Sequence, residues 1–246
     1  MIKNLAITTW SHTSYSDIWP MYYGQFDKCA PFFKHYMFIN EGTNKTPKYC
    51  EEIVNNESEK FSERLCYSLA QVKEKNIIWM QEDFVLYNKV EQKTINKIND
   101  FLNSSKYSFV RLIKSGVEGG ERVNNHMGIF EIPKSCHYLY SLQSSIWKKS
   151  DLIKLYNFYR PKNMMESELY GSHACRGLNI SGCYLYNGEK KRGNLHYDSG
   201  TFPYISTALH GGSHGRPAKW QTHLYREELE PLFEEYKIDS STRGEM

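Results

Sequence analysis

Three segments of the chain carry side chains whose types and spacing could do chemistry. Gln81-Glu82-Asp83 places two adjacent carboxylates directly after the apolar run Ile77-Ile78-Trp79-Met80. Ionised carboxylates at the end of a buried strand need a partner or a cation, and two together suit a divalent ion bridging phosphates; the simpler alternative is a solvated strand end. Met164-Met165-Glu166-Ser167-Glu168-Leu169-Tyr170-Gly171-Ser172 sets two more carboxylates among methionine and tyrosine. Desolvation there raises a carboxylate pKa toward that of a general base, whereas an acidic pair opening a helix would be favourable without any catalytic role. His210-Gly211-Gly212-Ser213-His214-Gly215-Arg216 combines glycines that permit close backbone approach with two histidines and an arginine. That set could meet a metal or a pyrophosphate, and a plain flexible loop has the same composition. No GxSxG elbow, HExxH or GxxxxGK[ST] loop occurs, which removes the corresponding hydrolase, zinc-protease and P-loop readings.

These segments need elements to hold them. Residues 4–10 read as a buried strand, followed by the polar turn Ser11-His12-Thr13-Ser14. Ser16 or Asp17 then caps a helix through Ile18, Trp19, Met21, Tyr22, Phe26 and Cys29, with Pro20 in its first turn. A strand over 35–42 and a helix over 58–74 follow, the latter with Phe61, Leu65, Leu69 and Val72 on one face. Next come a strand over 76–86, a helix over 90–102 and a strand over 109–113. Alternating strands and helices predict an α/β domain with a mainly parallel sheet covered by helices. The second half is mixed: a strand over 139–147, a helix capped by Ser150, and short strands and loops over 171–220. A helix over 227–236 and a frayed tail over 240–246 complete the chain. No repeat or linker divides it, so one domain is expected.

Composition narrows the function classes. With 246 residues, 40% hydrophobic and 24% charged, the chain is an ordinary globular sequence, which excludes disorder and collagen-like repeats. Lys and Arg number 31 against 28 Asp and Glu, and a net charge of +3 is too small to hold nucleic acid by bulk electrostatics. No apolar run is long enough for a membrane span, and the first residues lack a signal-peptide pattern, so a cytoplasmic protein is expected. Six scattered cysteines without a CxxC pair read as free, mostly buried thiols. Aromatic residues make up 15%. Phe38, Trp79, Phe84 and Phe109 fall in core positions, while Trp10, Tyr15, Trp19, Tyr170, Tyr197 and Trp220 sit in polar surroundings suited to a nucleotide base or a sugar face.

Taken in order, the segments resemble small glycosyltransferases of the GT-A type, a group found in bacteria and large DNA viruses. Four pieces carry the resemblance: Tyr15-Ser16-Asp17-Ile18-Trp19-Pro20 after the first strand; Phe61-Ser62-Glu63-Arg64-Leu65 leading to Ile77-Ile78-Trp79-Met80-Gln81-Glu82-Asp83-Phe84; Ser141 through Leu152; and Glu168-Leu169-Tyr170-Gly171-Ser172. The usual D-x-D stands here as Gln81-Glu82-Asp83. The resemblance implies a GT-A-like fold, with residues 1–115 as the nucleotide-sugar-binding half, 116–238 as the acceptor and catalytic half, and 239–246 as a tail. It implies a donor, preferably a UDP-sugar, held by Thr8, Thr9, Trp10, Tyr15, Asp17, Arg64, Glu82, Asp83 and Arg216. Mn²⁺ or Mg²⁺ would sit on Asp83, Glu82 and His214. The acceptor would be a glycan or a small hydroxyl compound. Glu168, followed by Gly171-Ser172, is the preferred base for an inverting transfer, and Glu166 is the alternative. Two rivals remain. A nucleotidyltransferase would carry a Gly-rich, basic loop after the first strand, which residues 9–14 lack. A non-catalytic carbohydrate-binding or scaffold protein would keep the core without the chemistry.

Overall fold

A computed structural model of the chain describes residues 2–124, 127–211 and 218–246. The principal strands are β1 (Leu5–Trp10), β2 (Lys34–Ile39), β3 (Cys50–Val54), β4 (Asn76–Gln81), β5 (Phe109–Arg111), β6 (Arg122–Asn124), β7 (Ile129–Glu131), β8 (Ser145–Lys148) and β9 (Gly182–Leu185). They form one sheet in the order β3-β2-β1-β4-β8-β5-β9-β7-β6. β3, β2, β1 and β4 pair in parallel, as do β5 and β9, while β8 runs antiparallel between β4 and β5. Two small hairpins, β10 (Lys191–Arg192) with β11 (His196–Tyr197) and β12 (Leu209–His210) with β13 (Lys219–Trp220), lie outside this sheet. The helices are α1 (Trp19–Cys29), α2 (Phe61–Gln71), α3 (Gln92–Ser104), α4 (Lys149–Tyr159), α5 (Met164–Gly177) and α6 (Thr222–Tyr236).

Continuous apolar runs become strands here because both sheet faces are covered. Alternation along β2 and β4 divides the side chains between two cores. Met37, Ile39, Ile78 and Met80 join Trp19, Tyr22 and Phe26 of α1, Ile95, Ile98 and Leu102 of α3, and Leu229 of α6. Tyr36, Phe38, Ile77 and Trp79 face Phe61, Leu65 and Leu69 of α2, Leu152 and Leu155 of α4, and Ala174 and Cys175 of α5. The register Thr8↔Trp79↔Ser145↔Arg111 puts the carboxyl ends of β1, β4 and β5 on the same edge. In an open α/β sheet that edge is where ligands bind.

Several expected boundaries move, each for a local reason. The strand expected over 139–147 shortens to Ser145–Lys148. Residues 139–144 are buried, yet the Tyr138 and Leu139 carbonyls accept from the Arg111 guanidinium rather than joining a ladder. Neither Ser16 nor Asp17 caps α1. Thr13–Tyr15 form a 3-10 turn capped by His12, whose Nδ1 accepts from the Ser14 N–H, and α1 starts afterwards without a side-chain cap. Ser150 lies inside the first turn of α4, not at its cap. The terminal helix begins earlier, at Thr222, and bends at Tyr225, whose backbone is non-helical. The tail is not frayed: Trp220 N–H donates to Gly244 O and Met246 N–H to Trp220 O, both at 3.0 Å. All six cysteines are free.

His35 of β2 makes the packing sensitive to acid. It is 2% exposed. Its Nε2 lies 2.8 Å from Thr9 Oγ1, which bonds in turn to Tyr22 Oη at 2.6 Å. Burial lowers its pKa from 6.5 to about 3. The unfolded chain therefore binds more protons between those values. The His35 contribution is complete above pH 6.5 and declines as pH falls toward 3. Lowering the pH from 7 to 5 should cost about 2 kcal/mol through this residue. Urea unfolding at both pH values should show a smaller acid loss in His35→Gln than in the wild type; equal losses would contradict this assignment.

Candidate functional site

β1 and β4 end level with each other, Trp10 opposite Gln81. A turn closed by Phe84 N–H to Gln81 O (3.0 Å) then carries Glu82 and Asp83 off the strand end. Both line a cavity of about 300 Å³, together with Trp10, Ser11, His12, Tyr15, Met164 and Gly211. Burial first, and the Asp83 charge second, push Glu82 up to about 8, against a hydrogen bond from the Ser11 side chain and the field of Arg243. Burial pushes Asp83 up to about 7, opposed by the Leu209 N–H, which donates to its Oδ2 at 3.4 Å. The pair is short of donors for its ionised forms, so a cation or a cationic side chain would be stabilised there.

One such side chain comes from the opposite end of the chain. Arg243 donates to both oxygens of Asp17 (2.8 and 2.5 Å) and to Ser14 O (3.3 Å). Its guanidinium lies 4.8 Å from the centre of the Tyr15 ring. The side chain is 8% exposed, because the tail that carries it is tied to Trp220. An arginine with both a bidentate carboxylate and an aromatic face is geometrically fixed.

The helix α5 closes another side of the cavity. The first N–H groups of α2 would be unsatisfied, but Phe61 N–H and Ser62 N–H donate to the Lys162 and Pro161 carbonyls, which fixes the entry of α5. Asn163 then caps α5: its Oδ1 accepts from Glu166 N–H (2.9 Å), and Glu166 Oε2 accepts from Lys162 N–H (2.8 Å). Asn163 is thus a side-chain N-cap, and Glu166 ties the helix back to the residue before it. Met164, lining the cavity, and Glu168, one turn on, share a face of the helix. Glu168 is exposed, and its Oε1 accepts from Leu142 N–H at 3.4 Å.

Among solved structures, the chain is similar to residues 1–349 of S. aureus TarS in complex with UDP-GlcNAc. Identity is 15%, the TM-score 0.52, and the match covers 97% of this chain and 69% of that one. The fold is GT-A-like. Two weaker likenesses add nothing to that assignment. One is the mannosyltransferase PcManGT from Pyrobaculum calidifontis in complex with GDP-Man and Mn²⁺ (11% identity, TM-score 0.47, covering 78% of this chain and 59% of that one). The other is a cytidylyltransferase from Leptospira borgpetersenii (12% identity, TM-score 0.48, covering 83% and 82%). No protein-family model and no curated protein matches the sequence.

Within this GT-A-like frame, the residues expected to bind a donor separate into groups. Trp10, Tyr15, Glu82 and Asp83 converge on the cavity. Asp17 stands beside it, paired with Arg243. Arg64 stacks 5.0 Å from the Trp10 ring and donates to Asn55 at 2.7 Å. Thr8 and Thr9 do not reach it. Both are fully buried, Thr8 directed to Ile78 O and Thr9 to His35 and Tyr22, so the following Trp10-Ser11-His12 forms the wall. His214 and Arg216 lie outside the described residues. Glu166 is engaged in the α5 cap. Of the rings assigned to polar surroundings, Trp19 and Trp220 are fully buried core. No group of three metal-ligating side chains occurs among the described residues. Arg243 was not foreseen, since a lone arginine in a polar terminal segment has no periodic signal. The cap of Glu166 was legible as Asn163-x-x-Glu166.

Packing sets the height of α5 above the sheet. A Cβ on Gly171 would stand 2.3 Å from Cδ1 of Tyr140, a buried ring bonded to Tyr156 and Ser167. Gly171→Ala should therefore destabilise the chain by about 1–3 kcal/mol, read as a lower urea midpoint; an unchanged midpoint would show that α5 is not held by this contact.

Proposed function

We propose that the chain is a glycosyltransferase that moves a sugar from a nucleoside-diphosphate sugar, preferably a UDP-sugar, to a hydroxyl of a glycan or other acceptor, with inversion. The observation that supports it most is the cavity at the carboxyl ends of β1 and β4. There Trp10 and Tyr15 offer aromatic faces, Glu82 and Asp83 offer a buried and a half-buried carboxylate, and Met164 of α5 closes one side, with Glu168 one turn on along the helix and outside the lining.

In this reading the nucleotide base lies against Trp10 or Tyr15 and the diphosphate faces Glu82 and Asp83. A hard divalent cation is commonly held by one or two carboxylates completed by substrate phosphates, and the oxygen donors of Glu82 and Asp83 fit that pattern. When bound, Mn²⁺ or Mg²⁺ would supply positive charge to the departing diphosphate. Arg64, beside Trp10, stands near enough to the same end of the sheet to add to that field. Glu168 takes the proton of the acceptor hydroxyl as its oxygen bonds to the anomeric carbon. The anomeric carbon–oxygen bond breaks, and its electron pair leaves on the terminal phosphate of the nucleoside diphosphate. Attack opposite the leaving group inverts the anomeric configuration. The reading uses one domain, residues 1–115 for the donor and 116–238 for acceptor and base.

The two α5 carboxylates separate under mutation. General-base catalysis contributes about 10²–10⁴-fold, so Glu168→Gln should lower turnover with a UDP-sugar by about that factor while leaving UDP affinity intact. Glu166→Gln should instead keep its turnover and lose only about 0.3–1 kcal/mol of charge–dipole stability, since its amide oxygen can still accept from Lys162 N–H. The opposite pattern would assign the base to Glu166.

A further inference from the structure

A second cavity lies on the same sheet edge, at the end of β5, and none of its residues serves the donor site. It measures about 490 Å³ and is lined by Lys114, Val117, His137, Tyr138, Lys191 and Tyr197, among others. Its rim is built rather than loose. Gly116 N–H donates to Leu195 O at 2.9 Å, and Tyr197 N–H to Lys114 O at 3.1 Å. Ser115 Oγ bonds to His196 Nδ1 at 2.9 Å. Lys114 Nζ stands over two rings, 4.7 Å from the centre of Tyr186 and 4.9 Å from that of Tyr197. Among the described residues Glu118 is the one carboxylate of the lining, against Lys114 and Lys191.

Beneath the rim sits Arg111, fully buried. Its guanidinium donates to three carbonyls, Ser115 (2.8 Å), Tyr138 (2.8 Å) and Leu139 (3.2 Å), and so joins the two loops that form the cavity. Its Nε has no partner among the described residues, and no carboxylate pairs with it there. Carbonyl dipoles solvate the charge and the Glu168 carboxylate acts on it from a distance without a contact ion pair, so the field at this end of the sheet stays favourable to an anion.

The two cavities are joined along α5. Met164 lines the first, and Ser172 donates to the carbonyl of His137 (2.7 Å), a wall residue of the second. Glu168 lies midway on that helical face, about 6 Å from each at 1.5 Å per residue. Across the sheet, β4 and β5 are separated only by β8, a lateral distance of about 10 Å. One sugar hydroxyl placed beside Glu168 can thus belong to a molecule seated in the second cavity while its target lies in the first.

We infer that the second cavity is the acceptor subsite and that it takes an anionic sugar, one bearing a phosphate or a carboxylate, with Lys114 and Lys191 on the anion and the tyrosine rings on the sugar. This rests on the transferase reading for the word acceptor, and on the cavity alone for the ligand class.

Binding to the nitrogen-labelled full chain, followed by NMR at low salt, tests it with four probes: glucose-6-phosphate, glucose, inorganic phosphate and UDP. Glucose-6-phosphate should shift the amides of Lys114, His137 and Tyr197 and bind at least about tenfold more tightly than either glucose or inorganic phosphate. Lys114→Gln with Lys191→Gln should remove that advantage, and Lys114→Arg with Lys191→Arg should retain it. Equal binding of glucose would overturn the anionic class, and equal binding of inorganic phosphate would overturn the sugar. Shifts confined to Trp10 and Tyr15, or unchanged by the glutamine variants, would overturn the location. UDP reports separately on the first cavity: failure there, with glucose-6-phosphate still bound in the second, would reject a UDP-sugar donor in the first cavity and leave the anion site standing.

Discussion

Two adjacent carboxylates at the end of β4, Glu82 buried and Asp83 half-buried, set the terms for the rest of the molecule. Burial opposes their ionised forms, raising them to about 8 and about 7, and β4 itself offers no compensation beyond its last backbone groups. The compensation comes from other parts of the chain: a hydrogen bond from Ser11 just past β1, the Leu209 N–H from β12, and the charge of Arg243. These contributors run from Ser11 to Arg243, nearly the length of the chain, so the site exists only when the whole chain is folded. The return of the tail to Trp220 follows the same logic, since it delivers a nearly buried arginine beside an acidic cavity.

A helix separates the roles of the second acidic pair. Residues two apart on an α-helix project about 200° from each other, so Glu166 and Glu168 cannot serve one place. At the third helical position Glu166 closes the cap with Asn163, where negative charge also suits the helix dipole. Glu168 faces the other way, beyond Met164 and beside Leu142. What keeps it there is packing at a distance: the α2 N–H groups on the 161–162 carbonyls, and Gly171 against Tyr140.

Much of the first half was readable because its apolar runs are long and its burial two-sided. β1, β2, β4 and the first three helices lie within a few residues of where periodicity placed them. β3 escaped notice because only Cys50 and Ile53 of its five residues are buried, too few for an alternating pattern in an edge strand. Residues 139–144 misled in the other direction. Leu139 is held by Arg111 and most of the others by side chains of α5 and by residues 204–206, and a buried apolar run reads like a strand whatever holds it. The polar hydroxyls of Thr8 and Thr9 were assigned to a donor because they stand near a strand end, whereas both satisfy groups inside the sheet. The acidic cluster, Trp10 and Tyr15 were legible as chemistry; the arginine that stands beside them was not, since its placement depends on backbone pairing with Trp220.

Donor binding is the claim on which the functional reading turns. Folded-state ligands raise the melting temperature by mass action, so a thermal-shift panel of UDP-, GDP-, CMP- and dTDP-sugars, with and without Mn²⁺, addresses it directly on the full chain. The cavity at the ends of β1 and β4 predicts that a UDP-sugar raises the melting temperature, that Mn²⁺ enlarges the shift, and that Asp83→Asn abolishes the enlargement. No shift with any nucleotide sugar, with or without the metal, would contradict the transferase reading and favour a non-catalytic protein on the same fold.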